Sequence, residues 1–157
     1  MIELIAEIGQ NHNGDMSLAK ELIHAANDSG ADVAKFQVYE AKSLFPKEGN
    51  EWFEYNCKTE LNSDQVFELS EECEKAGIEF MASVFDVMRI EWLERVGVKR
   101  YKIASRSIQD AALIGALVKT DKPLMVSLGM WKNKEFPVIK TQQKLDFLYC
   151  VSKYPTE

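Results

Sequence analysis

The sequence predicts an α/β protein of the (β/α)8 TIM-barrel type, truncated after about six βα units. Three observations carry that expectation. Apolar β-rich runs alternate with amphipathic stretches from end to end. The repeat is short, roughly 20 to 30 residues, near what a barrel uses per unit. Every apolar run ends in a hydrogen-bonding group: Glu7, Lys35 with Gln37, Ser83, Lys102 with Ser105, Ser127, and Ser152 with Tyr154. Strict β-then-α alternation implies parallel strands joined by right-handed crossovers. Six units also fit a complete doubly wound sheet, but that fold binds at one switch point and needs polar residues at only a few strand ends. Polar groups at all of them favour the barrel. A full barrel takes ~250 residues, and this chain has 157.

The elements follow in order. Strands are expected to begin near Glu3, Asp32, Glu79, Arg100, Pro123 and Leu145. A first helix runs from Asp15 or Ser17 to Asn27, with Leu18, Leu22, Ala25 and Ala26 on one face and Gly30 beyond its end. A second starts at Asn62, with Leu61 and Val66 spaced as a hydrophobic staple, and stops at Gly77. A third starts at Asp86, turns Ile90 and Leu93 inward and ends before Gly97. A fourth spans Asp110 to Lys119. Pro137 interrupts the segment from Lys134 to Gln143. The stretch from Tyr39 to Leu61, rich in Glu, Asn, Trp and Tyr, reads as a long functional loop. No repeat, low-complexity tract or interdomain linker is visible.

Composition excludes several function classes. The chain carries 19 basic and 25 acidic side chains, a formal net charge of −6, and no block of Lys and Arg to meet nucleic acid. Apolar runs such as Pro123–Leu128 fall far short of the ~20 residues that span a bilayer. The N-terminus has no basic region and holds Glu3 and Glu7 within its apolar stretch, unlike a signal peptide. Three cysteines at unrelated spacings (Cys57, Cys73, Cys150) argue for a reducing, cytoplasmic setting.

The chemistry concentrates at strand ends. Period-two geometry puts Lys35 and Gln37 on one face of their strand, and Ala34, Phe36 and Val38 on the other. Lys102 sits similarly in Tyr101-Lys102-Ile103-Ala104-Ser105. A lysine in a buried parallel strand is costly unless an anion compensates it; the structural alternative is a side chain that snorkels to solvent. Two such lysines beside Ser83, Ser105 and Ser127 suit a phosphate, with its charge and multiple acceptor oxygens. Glu7 is either a lysine's partner or a sugar-hydroxyl or acid/base group. In Gln10-Asn11-His12-Asn13-Gly14, Asn13-Gly14 suits positive φ, and His12 reads as a capping or loop residue. With His24 the only other histidine, no metal site is expected within the chain. Cys73 reads as helix core and Cys57 as a loop thiol. Cys150 is expected in a buried strand without a neighbouring histidine, which argues against a thiol nucleophile. Trp52, Phe53 and Tyr55 are candidates to lid a pocket, cover the barrel rim or contact a second subunit.

Five separated motifs resemble the sialic acid synthase family in order and spacing. They are Ala6-Glu7-Ile8-Gly9-Gln10-Asn11-His12-Asn13-Gly14, Gly30-Ala31-Asp32-Val33-Ala34-Lys35-Phe36-Gln37, Tyr101-Lys102-Ile103-Ala104-Ser105, Ser127-Leu128-Gly129-Met130 and Tyr154-Pro155-Thr156. The resemblance implies a (β/α)8 barrel that condenses phosphoenolpyruvate with an N-acetylated aldose, N-acetylmannosamine or a related sugar, to give a nonulosonic acid and phosphate. It places Lys35, Ser83, Lys102, Ser105 and Ser127 at the phosphoenolpyruvate phosphate and Tyr154 at its carboxylate. Gln37 and Glu7 fall on sugar-side or catalytic positions. It also implies a divalent metal, Mn or Mg, whose ligands lie outside this chain, and a C-terminal sugar-contacting domain that is absent here. Two departures touch the sugar end: Ser107 stands where the family usually has an acid, and Ser152 where it usually has an asparagine.

The expected chain is therefore the partial N-terminal barrel of a cytoplasmic, phosphoenolpyruvate-dependent synthase, inactive by itself, with a homo-oligomer (a dimer) as its assembly. Two edges, at Ile2–Ile8 and Phe147–Val151, are expected to lie unpaired. The alternatives are a non-catalytic anion-binding half-barrel that needs a partner chain, and another phosphate-binding barrel lyase of the aldolase kind, working through a Schiff-base lysine.

Overall fold

The computed structural model of the chain describes residues 2–153 and Pro155. Its six strands are β1 (Ile5–Gly9), β2 (Val33–Val38), β3 (Glu79–Val84), β4 (Tyr101–Ile103), β5 (Leu124–Ser127) and β6 (Leu145–Leu148). All are parallel, and they lie side by side in chain order, β1 to β6. That order decides between the two architectures. A doubly wound sheet reverses direction at a switch point, whereas an unbroken sequential order is an arc of a barrel. β1 and β6 form the two edges of the arc.

Local chemistry sets the helix ends. Asp15 caps α1 (Met16–Asp28) by accepting from the amides of Ser17 and Leu18. Two short helices, α2 (Ala41–Leu44) and α3 (Phe53–Lys58), lie within the stretch expected as a loop. Asn62 and Gln65 form a full capping box at the start of α4 (Ser63–Ala76), which stops where Gly77 takes φ +78°. α5 (Ile90–Arg95) starts later than expected, because the Asp86 carboxylate accepts the Arg89 amide and holds residues 86–89 in a turn. Asp110 caps α6 (Ala111–Val118).

Three other boundaries differ from expectation. β1 begins at Ile5, since the Leu4 amide is taken by the Asp32 carboxylate at 2.8 Å. β6 ends at Leu148, so Cys150 lies beyond it and only half-buried. Alternation also fails once: the connection from β5 to β6 has no helix. Trp131 donates its indole N–H to the Glu135 carbonyl at 2.7 Å, and Phe136 stacks on Phe147 at 4.8 Å, so an irregular strap covers β6.

The sheet separates two apolar layers. Outside it, Ala34, Phe36, Ile103 and Val126 pack against Ile23, Val66, Leu69, Leu113 and Leu117 of the helices. Inside, Val33, Met81 and Met125 gather with Ile5 and Leu148. No helix among the described residues is long and apolar enough to cross a membrane. At the N-terminal end of the strands, Arg100 holds Glu3 through two hydrogen bonds (2.6 and 2.8 Å) and Glu79 through a third (2.9 Å). These charge-assisted bonds keep the Glu3 carboxyl below the usual range, the Arg100 hydrogen bond being the main cause.

The Arg100 side chain is 16% exposed, and its loss leaves Glu79 with Lys99 alone, at 3.7 Å. Arg100→Ala is expected to lower stability by about 2 kcal/mol, seen as a lower urea midpoint at unchanged m-value. An unchanged midpoint would show that this end of the sheet does not limit stability.

Candidate active site

The polar strand ends converge at the other rim. β1 reaches it through a bulge: Glu7 faces Lys35 in register, but Gly9, not Ile8, faces Phe36. Gly9 takes φ +55°, and a Cβ there would lie 3.0 Å from Glu7 Oε1 and 3.5 Å from Gln37 Nε2. Register thus sets Glu7 against Lys35, and the bulge that follows leaves Glu7 and Gln37 both beside the bare Gly9 backbone. Lys35 is 4% exposed. Its ammonium pairs with the Glu7 carboxylate and donates to Ser83 Oγ at 3.0 Å. Ser83 sits opposite Gln37 on one side and Lys102 on the other. Lys102 is held below the usual lysine range, first by burial and then by repulsion from Lys35, with Glu7 and Cys150 acting in the opposite sense. Two ammonium groups therefore share one half-exposed carboxylate.

The neighbouring strands add donors. Ser105 opens a 3-10 turn (Ser105–Ser107), and its Oγ accepts the Gly129 amide at 3.1 Å. Ser127, buried, ends β5. Cys150 Sγ accepts the same Gly129 amide at 3.1 Å and lies 3.4 Å from Ser105 Oγ. Seven of the eight expected site residues are thus at one rim: Glu7, Lys35, Gln37, Ser83, Lys102, Ser105 and Ser127. The eighth, Tyr154, lies outside the described residues. Ser107 is buried under the turn.

Cys150 was missed by the expectation of a buried strand. So was the way the Tyr39–Leu61 stretch is tied down. Gln10 Nε2 lies 2.5 Å from the Tyr39 hydroxyl, 2.9 Å from Asn56 Oδ1 and 2.8 Å from Thr59 Oγ1. Tyr55 donates back to the Gln10 carbonyl at 3.0 Å. Arg89 bridges Glu60 and Asp86 at 3.1 and 2.9 Å, and Arg106 donates to the Leu44 carbonyl while lying over the Phe45 ring. Long-range polar ties of this kind carry no periodic signal in a sequence. Gln10, Phe45, Asn50, Trp52, Tyr55 and Asn56 line a cavity of about 280 Å³ at this rim. A larger one, about 660 Å³, lies outside the sheet between α6 and the strap, where its mainly apolar lining, including Ile114, Val118 and Trp131, offers little for chemistry. Among the described residues, no three His, Cys, Asp or Glu side chains stand together as a metal site.

The chain can be set beside known proteins. A model of the NeuB family matches residues 22–157. An N,N'-diacetyllegionaminic acid synthase of Legionella pneumophila is 37% identical over 97% of this chain and 49% of its own length. The N-acetylneuraminate-9-phosphate synthase of Homo sapiens is 32% identical over 98% of this chain and 48% of its own. In a crystal structure with citrate, the N-acetylneuraminic acid (sialic acid) synthetase of Leptospira borgpetersenii matches with a TM-score of 0.91 at 32% identity, covering 99% of this chain and 56% of that one. The chain spans about half the length of the curated relatives it matches.

His12, expected in a cap or loop, is fully buried in the turn after β1, and its Nδ1 accepts the Gly14 amide at 3.1 Å. Asn13 and Gly14 take the positive φ their types suggest, and Gly14 admits no Cβ because the Lys58 carbonyl would lie 2.4 Å from it. Burial pushes the His12 pKa below its ordinary 6.5. Below that pH the unfolded ring binds a proton that the folded ring refuses, so acid favours unfolding. His12→Gln should flatten the fall in stability just below that pH in urea titrations; parallel profiles for both proteins would contradict this.

Proposed function

The chain belongs to the NeuB family, and on that premise we propose that it forms the phosphoenolpyruvate-binding part of a synthase that joins phosphoenolpyruvate to an N-acetylated aldose, giving a nonulosonic acid and phosphate. One observation carries this reading: Lys35 and Lys102 converge with Ser83, Ser105, Ser127 and the Gly129 amide, and among the described residues Glu7 is the one carboxylate that offsets their charge. Such a site has a deficit of negative charge and a surplus of donors. A phosphate carried by a small carboxylic acid supplies both needs. The named activities of the relatives support the same chemistry.

In this reading the lysines and hydroxyls hold phosphoenolpyruvate so that C3 faces the aldehyde carbon of the second substrate. Preorganised donors stabilise charge as it develops and keep the reactants in line. C3 attacks the aldehyde, whose oxygen takes up a proton; water adds at C2, and phosphate departs as the C2–O bond breaks. Glu7, one oxygen on Lys35 and the other beside Gly9 and Gln37, is placed to exchange a proton with the sugar or hold its hydroxyl. The cavity walled by Asn50, Asn56, Gln10, Trp52 and Tyr55 offers amides for sugar hydroxyls and rings for its apolar face. A divalent metal would supply Lewis-acid polarisation of the aldehyde; the described residues provide no set of ligands for it, and no step here runs through it. N-Acetylmannosamine or a related sugar as acceptor, a cytoplasmic setting and a dimeric assembly belong to the same proposal.

Lys102→Ala removes a charged partner from a largely desolvated site, a change that typically costs about 2–5 kcal/mol. Affinity for phosphoenolpyruvate should fall roughly a hundredfold or more by calorimetry. Unchanged affinity in a folded variant would make the lysine structural. The lowered proton affinity of Lys102 also suits an imine-forming lysine. Borohydride reduction in the presence of pyruvate distinguishes the two, since a mass adduct on Lys102 would replace the synthase reading with an aldolase-type one.

A further inference from the structure

The proposed condensation makes no use of Cys150, which stands at this rim. Its sulfur accepts the Gly129 amide at 3.1 Å, the amide that Ser105 Oγ also accepts at 3.1 Å. Ser105 Oγ lies 3.4 Å away, and the sulfur also faces the Leu148 carbonyl at 3.8 Å. A Cβ on residue 129 would stand 3.0 Å from Cys150 Sγ, 3.0 Å from Ser105 Oγ and 2.5 Å from Ser152 Oγ. Three side chains from the segments after β4 and β6 thus close on one glycine, two of them on its amide, and only glycine fits there.

We propose that Cys150 is a positioning residue of the anion cradle: its sulfur orders Ser105 and the Gly129 amide, and a bound anion draws on those same groups. The inference rests on the anion-binding reading above. An anion that recruits these groups withdraws hydrogen bonds from the sulfur, so occupancy and thiol reactivity are linked, each opposing the other. The charged groups facing this point are Lys102 on β4 and, beyond it, Lys35 on β2 and Glu7 on β1. Burial by itself raises the Cys150 pKa; the polar groups around the sulfur, Ser105 and the Gly129 amide among them, outweigh it and bring the thiol below its ordinary value. Cys73 gives no competing signal, because burial pushes its thiol up to about 12. Cys57 is separated from Cys150 by peptide mass.

The test is iodoacetamide alkylation of Cys150 in the intact protein, followed by peptide mass against pH, with and without inorganic phosphate or phosphoenolpyruvate. Either anion at saturation should slow alkylation at neutral pH about tenfold, and Ser105→Ala without anion should raise the alkylation midpoint by about one pH unit. Cys150→Ser should keep phosphate affinity close to that of the parent, whereas Cys150→Val should lose about tenfold. Anion binding seen by calorimetry without protection of Cys150 would overturn the inference and leave the site reading standing. Absence of binding by either anion would overturn the site reading. In that event the Ser105→Ala profile still decides the role of the sulfur, and an unshifted midpoint refutes it.

Discussion

The structure at the rim depends on how one buried ammonium group is accommodated. Lys35 lies near the middle of β2 with 4% of its surface exposed, a position where an uncompensated charge is prohibitive. Its carboxylate partner, Glu7, is delivered by the register of β1 with β2, which runs unbroken to that pair before β1 bulges at Ile8 and Gly9 takes a positive φ. Its other partner, Ser83, is delivered by the unbroken register between β2 and β3. Glu7 pairs with Lys35, and among the described residues no carboxylate forms an ion pair with Lys102 across β3, so two ammonium groups share one carboxylate inside an acidic protein.

That imbalance links fold to function. A site that needed only a stable sheet would pair each charge, as the opposite end does, where Arg100 meets Glu3 and Glu79. The contrast between the two ends of one sheet follows the usual division in barrels, stability at the N-terminal face and chemistry at the C-terminal face. Around the rim, the excursion between β2 and β3 is fastened by Gln10, Tyr39, Asn56, Thr59, Glu60 and Arg89. Apart from Arg89 Nε, which has no hydrogen-bond partner, these buried polar groups satisfy one another, so the aromatic and amide side chains they carry are held in place.

Much of this was legible in advance. The strand positions, the helix starts near Asp15, Asn62 and Asp110 and the Gly77 stop are local features, decided by hydrophobic period and by the few side chains that satisfy helix ends. Lys35 and Lys102 were legible because a charge embedded in an apolar strand stands out against its neighbours. Cys150 and Gly129 were not. A thiol beside an apolar run reads as core, and only the end of β6 at Leu148 turns its sulfur toward an amide 21 residues earlier in the chain. The strap between β5 and β6 was half legible: Pro137 argued against a helix, but the stacking of Phe136 on Phe147 was not visible.

By itself, then, the sequence determined the six strands and the longer helices, which face of each strand is apolar, and the polar groups that end the first five strands, since all of these follow from short-range periodicity and capping. Tertiary structure decided the short helices α2 and α3, the register that joins Glu7 to Lys35, and the meeting of Ser105, Gly129 and Cys150 at one amide. Those depend on registers and crossings between segments tens of residues apart. A one-residue change of register would send each side chain to the other face of the sheet, and no local pattern specifies that choice.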